Sequence, residues 1–255
     1  MQRIIKYIIL DILKNKIVIA YTLLLALISW GIFGLEDNST KGTLTILNAI
    51  LLIVPMVSII FSTIYLYNST EFIELLLSQP IQRKKIWSSV FVGLSLSMAS
   101  SFLLGCGIPL LLFTPFDLAI TMILTGVFIS VIFVALAFFT VVNTRDKAKG
   151  IGISIMLWLF FAVIFDGIVL FLLFQFADYP IEKIMVGLTA FSPLDLARIT
   201  ILLKIDVSAM MGYTGAIFKD FFGTTLGMFI SIVVMVLWVF LPFKYSLMKF
   251  KKMDL

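Results

Sequence analysis

The sequence contains no histidine, a single cysteine and few charged residues. Of its 255 residues, 13% are charged and 62% are hydrophobic, whereas a soluble domain of this length is about one quarter charged and about half apolar. So large an excess of apolar side chains cannot be buried in one globular core, and much of the surface must face lipid. The composition therefore predicts an integral membrane protein.

The missing residue types exclude several kinds of chemistry. Without histidine, the chain lacks the commonest general base and metal ligand, and with Cys106 alone it cannot form an internal disulfide. A phosphate-binding loop needs a Gly-Lys pair, which the sequence lacks, so ATP hydrolysis would require another polypeptide. No Gly-x-Ser-x-Gly elbow occurs either. We therefore expect no catalytic residue, no metal site and no cofactor on this chain.

Six apolar stretches are long enough to cross a bilayer, which requires about 20 residues per helix. They cover about residues 17–35, 44–67, 88–113, 118–142, 150–175 and 221–243. Before them, residues 2–15 alternate apolar and charged side chains in helical rhythm, which predicts an amphipathic helix at the membrane surface. The alternative is an extension of the first span. No cleavage signal is evident, so we expect the first span to be retained.

Basic residues are unevenly distributed among the connections. If both termini are cytoplasmic, fourteen of the 19 basic residues lie on the cytoplasmic side, as the positive-inside rule requires. The remaining five would lie outside: Lys41, Lys183, Arg198, Lys204 and Lys219. The net charge of +5 therefore reflects orientation in the membrane, and no nucleic-acid partner is expected.

Residues 69–80, between spans two and three, predict a short cytoplasmic helix. A serine or threonine can cap it, two glutamates occupy its first turns and a proline ends it. Three leucines would then face a groove on a soluble motor protein or, alternatively, rest on lipid. The residues expected to contact the soluble partner are Glu71, Glu74, Leu75, Leu76 and Leu77.

The outer segment 176–220, between spans five and six, contains a second helix start. Ser192 fits the N-cap, Pro193 the first helical position and Asp195 the first turn. Arg198 follows three residues later on the same helical face. Asp166 is the only acidic residue within a predicted span, and it lies near the outer end of span five. It is either a functional acid or an interfacial residue that contacts the outer segment.

These features together resemble the permease subunits of type-2 ABC transporters, which have a surface helix, six spans and a cytoplasmic coupling helix between spans two and three. The leucine-rich segment 74–83, which ends in proline and arginine, is similar to the coupling segment of that family. The similarity is greatest to the NosY group. Trp158 followed by Phe165 and Asp166, and the segment 191–198 with Ser192 in place of the usual asparagine, resemble that group.

The resemblance implies a single permease domain over residues 1–255 in the bacterial inner membrane. Two copies would form the membrane core, two ATPase subunits would bind ATP, and a periplasmic β-helical protein would rest on the outer segment. The role of the group is maturation of the copper–sulfur site of nitrous-oxide reductase. Asp195 and Arg198 would pair with each other or contact the periplasmic protein. The alternatives are another type-2 exporter (lipid, drug or gliding-related cargo) and a membrane anchor without an ATPase.

Overall fold

The computed structural model describes residues 2–36, 39–176, 187–205 and 225–252. Within these ranges the regular elements are helices, and no strand occurs. The described helices that are long and apolar enough to cross a membrane are Lys16–Leu35, Thr40–Asn68, Arg83–Phe113, Phe116–Asn143, Lys147–Leu172 and Phe229–Lys252. The all-α integral membrane fold predicted from the sequence is confirmed.

The described helices, in chain order, are α1 (Gln2–Leu13), α2 (Lys16–Leu35), α3 (Ser39–Asn68), α4 (Thr70–Leu77), α5 (Arg83–Phe102), α6 (Ile108–Phe113), α7 (Phe116–Asn143), α8 (Lys147–Leu159), α9 (Phe165–Gln175), α10 (Pro193–Lys204) and α11 (Thr225–Lys252). Two π-helical turns, Leu103–Gly107 and Phe160–Ile164, join α5 to α6 and α8 to α9. Spans three and five are therefore continuous helices. Of the segments predicted above, residues 177–186, 206–220 and 221–224 lie outside the described residues.

The amphipathic helix α1 packs against the start of span three. Its apolar face buries Ile8 and Ile12, while Lys6 on the other face is exposed. Close approach is possible because span three has Gly93 at the crossing, where a Cβ atom would come within 2.6 Å of Ile8 Cγ2. Asn15 then starts span one, since its side-chain oxygen accepts a hydrogen bond from the Ile17 amide at 2.9 Å.

The centre of the bundle is formed by spans two, three and four, which bury about half or more of their most apolar windows. Spans one, five and six are peripheral and expose leucine, isoleucine and phenylalanine side chains along their outer faces. In lipid such exposure carries no hydrophobic penalty, because the acyl chains are as apolar as the side chains. The exposed apolar faces are thus consistent with a bundle surrounded by a bilayer.

The π-helical turn in span three, Leu103–Gly107, lies just before Pro109. Pro109 has no amide hydrogen to donate to the carbonyl of Gly105 four residues earlier. The Ser29 hydroxyl of span one lies 3.1 Å from that carbonyl oxygen and 2.8 Å from the carbonyl of Leu25 in its own helix. A Cβ atom at Gly105 would come within 2.7 Å of Leu25 Cβ. The glycine therefore lets span one approach closely enough to supply a donor.

The sixth span extends further toward the C-terminus than its hydropathy predicts. The apolar run ends near residue 243, whereas helix α11 continues to Lys252. Aromatic packing holds this extension, because Phe250 stacks on Trp87 with ring centroids 4.0 Å apart. The Trp87 indole N–H also donates to Ser246 Oγ at 2.8 Å. The C-terminal end of span six is thereby fixed to the start of span three.

Candidate functional site

The short cytoplasmic helix predicted over residues 69–80 is helix α4, Thr70–Leu77. Ser69 occupies the N-cap position but its side chain makes no capping hydrogen bond; Thr70 Oγ1 donates instead to the Tyr67 carbonyl at 2.9 Å. The helix ends before Pro80, where the Ser78 hydroxyl donates to the Leu75 carbonyl at 2.8 Å. Helix α4 is therefore a short helix of about two turns, eight residues long, between spans two and three.

The five residues that were expected to face a soluble partner differ in their exposure. Glu71, Glu74 and Leu75 are exposed, and 67% of the Leu75 surface is accessible. Leu77 is half-buried, whereas Leu76 is buried and cannot contact a partner directly. The leucine triplet could not face one way as a unit, because 3.6 residues per turn place Leu76 on the same face as the buried Ile73.

Helix α4 packs against the ends of spans two and three on its side of the bundle. Its buried face borders an apolar cavity of about 60 Å³, which is lined by Leu66, Thr70, Ile73, Trp87, Val141, Val142 and Phe250. These residues belong to spans two, three, four and six and to α4 itself. The ring of Phe72 also stacks on Tyr7 of α1 at 5.4 Å. A displacement of α4 would therefore act directly on spans two and three, against which it packs, and on the surface helix through the Tyr7–Phe72 stack.

The outer helix α10 begins as its sequence predicts. Ser192 is fully buried and its hydroxyl accepts a hydrogen bond from the Asp195 amide at 3.2 Å, while Pro193 occupies the first turn. The Trp238 indole N–H of span six donates to the Ala190 carbonyl at 3.0 Å. Because Ser192, Pro193 and Asp195 are all buried, these three side chains contribute to the internal packing of the chain.

A charge cluster joins α10 to the outer part of span five. Arg198 Nη1 donates to Asp166 Oδ2 at 2.8 Å and to Asp195 Oδ1 at 3.3 Å. Asp166 follows the π-helical turn Phe160–Ile164, which rotates the end of span five relative to an uninterrupted α-helix. Of the alternatives stated for these residues, the structure shows the pairing of Arg198 with Asp195 and the contact of Asp166 with the outer segment.

The surroundings of Asp195 favour its neutral form. Burial raises the pKa of Asp195 above that of an ordinary aspartate, and the nearby Asp166 carboxylate raises it further. The Arg198 guanidinium and the Ser192 hydroxyl act in the opposite direction. Asp195 Oδ2 is buried and accepts no hydrogen bond from the part of the chain that the structure describes.

The two regions lie on opposite sides of the bundle and are built from different residues. Glu71, Glu74 and Leu75 form an exposed surface on α4, whereas Asp166, Asp195 and Arg198 meet at the outer end. Sequence reasoning did not find the Trp238 contact to Ala190 or the Tyr7–Phe72 stack. A tryptophan within an apolar span is a usable signal for the first, because a buried indole N–H usually has an acceptor.

Residues 4–255 match the family described as ABC-2 family transporter protein. The chain is also 27% identical, over 225 residues, to the probable ABC transporter permease protein NosY of Pseudomonas aeruginosa. That alignment covers 79% of this chain and 81% of the relative. The family match extends over both regions described above and over all six spans. The chain therefore belongs to the ABC-2 transporter family and is a multi-pass membrane permease resembling NosY.

Proposed function

We propose that this permease transmits ATP-driven movement from a separate ATPase subunit, through helix α4, to the outer side of the membrane. The observation that carries the proposal is the exposed face of α4, formed by Glu71, Glu74 and Leu75. Burying an exposed leucine side chain in a groove gains about 1.5–3 kcal/mol. The opposite face of α4 packs against spans two and three and shares a cavity with spans four and six, so a force applied to the exposed face is passed to the bundle.

The charges on α4 favour a protein groove over a lipid surface as its partner. Glu71 and Glu74 are exposed and lie four residues and one residue before Leu75, and neither forms an ion pair with a described residue. Two carboxylates beside the apolar side chain oppose binding to anionic lipid headgroups. They suit a groove that has an apolar floor and a basic rim.

The assembly that we propose contains two copies of the chain and two ATPase subunits in the inner membrane of a bacterium. ABC-2 permeases work with an ATPase on the cytoplasmic side, so both termini and α4 are assigned to that side. The apolar outer faces of the peripheral spans leave room for a second copy as well as for lipid. The ATPase supplies the nucleotide site, since this chain lacks a phosphate-binding loop.

The resemblance to NosY supports a more specific role in maturation of the copper–sulfur site of nitrous-oxide reductase. In that role a periplasmic β-helical protein would receive the movement at the outer side. Because Ser192, Pro193 and Asp195 are buried, such a partner would contact Arg198 and the exposed Phe191 rather than those three side chains. Under this proposal, the movement either transports a substrate across the membrane or acts as a mechanical signal without transport.

Association with the ATPase is tested with Leu75→Asp and with a matched surface variant. Leu75→Asp places a third carboxylate on α4 and is expected to abolish co-purification of the ATPase with the permease. Met248→Asp changes another exposed apolar residue, 49% accessible and near the cytoplasmic end of span six, and should leave association intact. Equal recovery of ATPase with both variants would contradict the docking surface.

The maturation role is tested in a strain that lacks this gene. We expect nitrous-oxide reductase from that strain to lack only its copper–sulfur site, as judged from copper content and visible spectrum. A fully metallated, active reductase would exclude this role. In that case, if the ATPase still associates through α4, the chain is a permease for another cargo; if no ATPase associates, it is a membrane anchor.

A further inference from the structure

Among the described residues, the charge cluster at the outer end of the bundle contains more acidic than basic side chains. It contains one guanidinium, Arg198, and two carboxylates, Asp166 and Asp195, and Arg198 Nη1 contacts both acids. All three side chains are at least two-thirds buried. A net negative charge in such an environment is costly, because burial removes the water that would stabilise it.

The second observation is the unpaired oxygen of Asp195. Only 9% of this residue is exposed, and Oδ2 makes no hydrogen bond to a residue within the described ranges. The partner oxygen Oδ1 accepts from Arg198, and the Asp195 amide is already bonded to Ser192. Oδ2 therefore has no hydrogen-bond donor among the described residues, and a proton is the smallest ligand that removes its charge without needing further space.

We propose that Asp195 and Asp166 form a proton-binding site that holds one proton on Asp195 and makes the cluster with Arg198 electrically neutral. Binding converts the Asp195 carboxylate to a carboxylic acid, so the pair Asp166–Arg198, with its 2.8 Å contact, remains as the ion pair. Loss of the proton leaves two carboxylates competing for one guanidinium. The proposal goes beyond the transport function and does not depend on the identity of the cargo.

Within the described ranges, Asp195 has two charged neighbours. The cation is Arg198 on its own helix and the anion is Asp166 on span five, and the electrostatic influence of described charged groups on Asp195 comes from these two. Helix α10 also packs against spans two, four and six. Asp117 of span four and Lys204 line a different pocket, at the far end of α10, roughly 13 Å along the helix from Asp195.

The position of the site connects it to the fifth span. On its cytoplasmic half, span five is fastened to span two by the Ser154–Thr63 hydrogen bond at 2.7 Å and by Trp158 Nε1 donating to the Leu52 carbonyl at 3.2 Å. On its outer half the polar contact to the described outer segment is Asp166–Arg198. Release of the proton is therefore expected to weaken the attachment of the outer helix to span five.

The site can be tested by infrared difference spectroscopy of the purified permease in lipid nanodiscs between pH 5 and pH 9. The wild type should lose the C=O band of one protonated carboxyl with a midpoint at pH about 7. Asp195→Asn should abolish this band. Asp166→Asn removes the neighbouring negative charge, so the midpoint should fall by about 1–3 pH units. The control Asp117→Asn, at the exposed start of span four, should change nothing.

Three outcomes would overturn the proposal. A band that persists in Asp195→Asn would place the proton elsewhere. A midpoint that is unchanged in Asp166→Asn would remove Asp166 from the site. A midpoint that moves when sodium chloride replaces potassium chloride at constant ionic strength would show that a metal cation, and not a proton alone, occupies the position beside Oδ2. Because Asp166→Asn retains the Asp195–Arg198 contact, it tests the site even if Asp195→Asn folds poorly.

Discussion

Ser29 and Pro109 show how one residue compensates for another on a different span. The proline leaves the Gly105 carbonyl without its helical donor, and the serine hydroxyl lies within hydrogen-bonding distance of it. We expect Ser29→Ala to lower the free energy of unfolding by on the order of 1 kcal/mol, because a buried acceptor loses a partner. Thermal unfolding in detergent measures this loss.

The matched control for that substitution is Ser97→Ala in span three. Ser97 is equally buried, but its hydroxyl donates to the Gly93 carbonyl within its own helix at 2.8 Å. This carbonyl keeps its helical amide donor when the hydroxyl is removed. Equal losses of stability in Ser29→Ala and Ser97→Ala would mean that the contact between spans one and three contributes nothing.

The raised pKa of Asp195 predicts that the stability of the folded chain depends on pH. Its pKa is raised to about 7 in the folded chain, against roughly 3.9 for an unfolded aspartate. Between these values the folded state holds a proton that the unfolded state has lost, so stability is greatest at the acid end and falls as pH rises through about 7. The melting temperature should therefore fall between pH 5 and pH 8 by more in the wild type than in Asp195→Asn. An identical fall in both proteins would contradict this prediction.

At the scale of elements, two adjacent residues of α4 have different roles: Leu75 contributes to docking and Leu76 to stability. Leu76→Ala removes a buried side chain and is expected to destabilise the chain by about 2 kcal/mol, the lower end for buried leucines, because α4 already borders a cavity. Leu75→Ala should leave stability unchanged but reduce the stimulation of ATPase activity in the assembled transporter. Denaturation and ATP turnover, measured on both variants, distinguish the two roles.

The spans could be predicted from the sequence because a bilayer imposes one strong constraint, a length of continuous apolar helix. The caps at Asn15 and Ser192 act locally, and Ser192 could be found from its neighbours alone. Other features depend on which helices meet. Nothing in the local pattern of residues 69–80 shows that Leu76 points inward, because that depends on the ends of four spans.

The outer cluster was only partly predictable for the same reason. Asp195 and Arg198 are three residues apart on one helix, so their proximity follows from helix geometry. Asp166 is 32 residues from Arg198, and their contact requires both a π-helical turn in span five and the placement of α10 between spans. Neither is visible in hydropathy. The full length of span six could not be predicted either. The hydrophobic pattern ends near residue 243, and the packing that extends the helix involves Trp87, which lies on another span.

At the scale of the whole molecule, the six spans of the described residues and the distribution of basic residues predict that both termini and α4 lie on the cytoplasmic side. In a Cys106→Ala background, a cysteine at Gln79 should react with an impermeant maleimide only after the cytoplasmic side is opened. A cysteine at Phe191, which is 69% exposed beside α10, should react in intact cells. Labelling in the reverse pattern would invert the topology and remove α4 from the ATPase side.

The cavity beneath α4 also has an evolutionary consequence. Ile73, Trp87 and Phe250 face the same space of about 60 Å³, although they lie on a short cytoplasmic helix and on the third and sixth spans. A gain of volume at one of these positions can be balanced by a loss at another without disturbing the exposed face of α4. In related proteins that share an ancestor, these three positions should therefore covary in size. Leu75 should change only together with the residues of the groove that receives it.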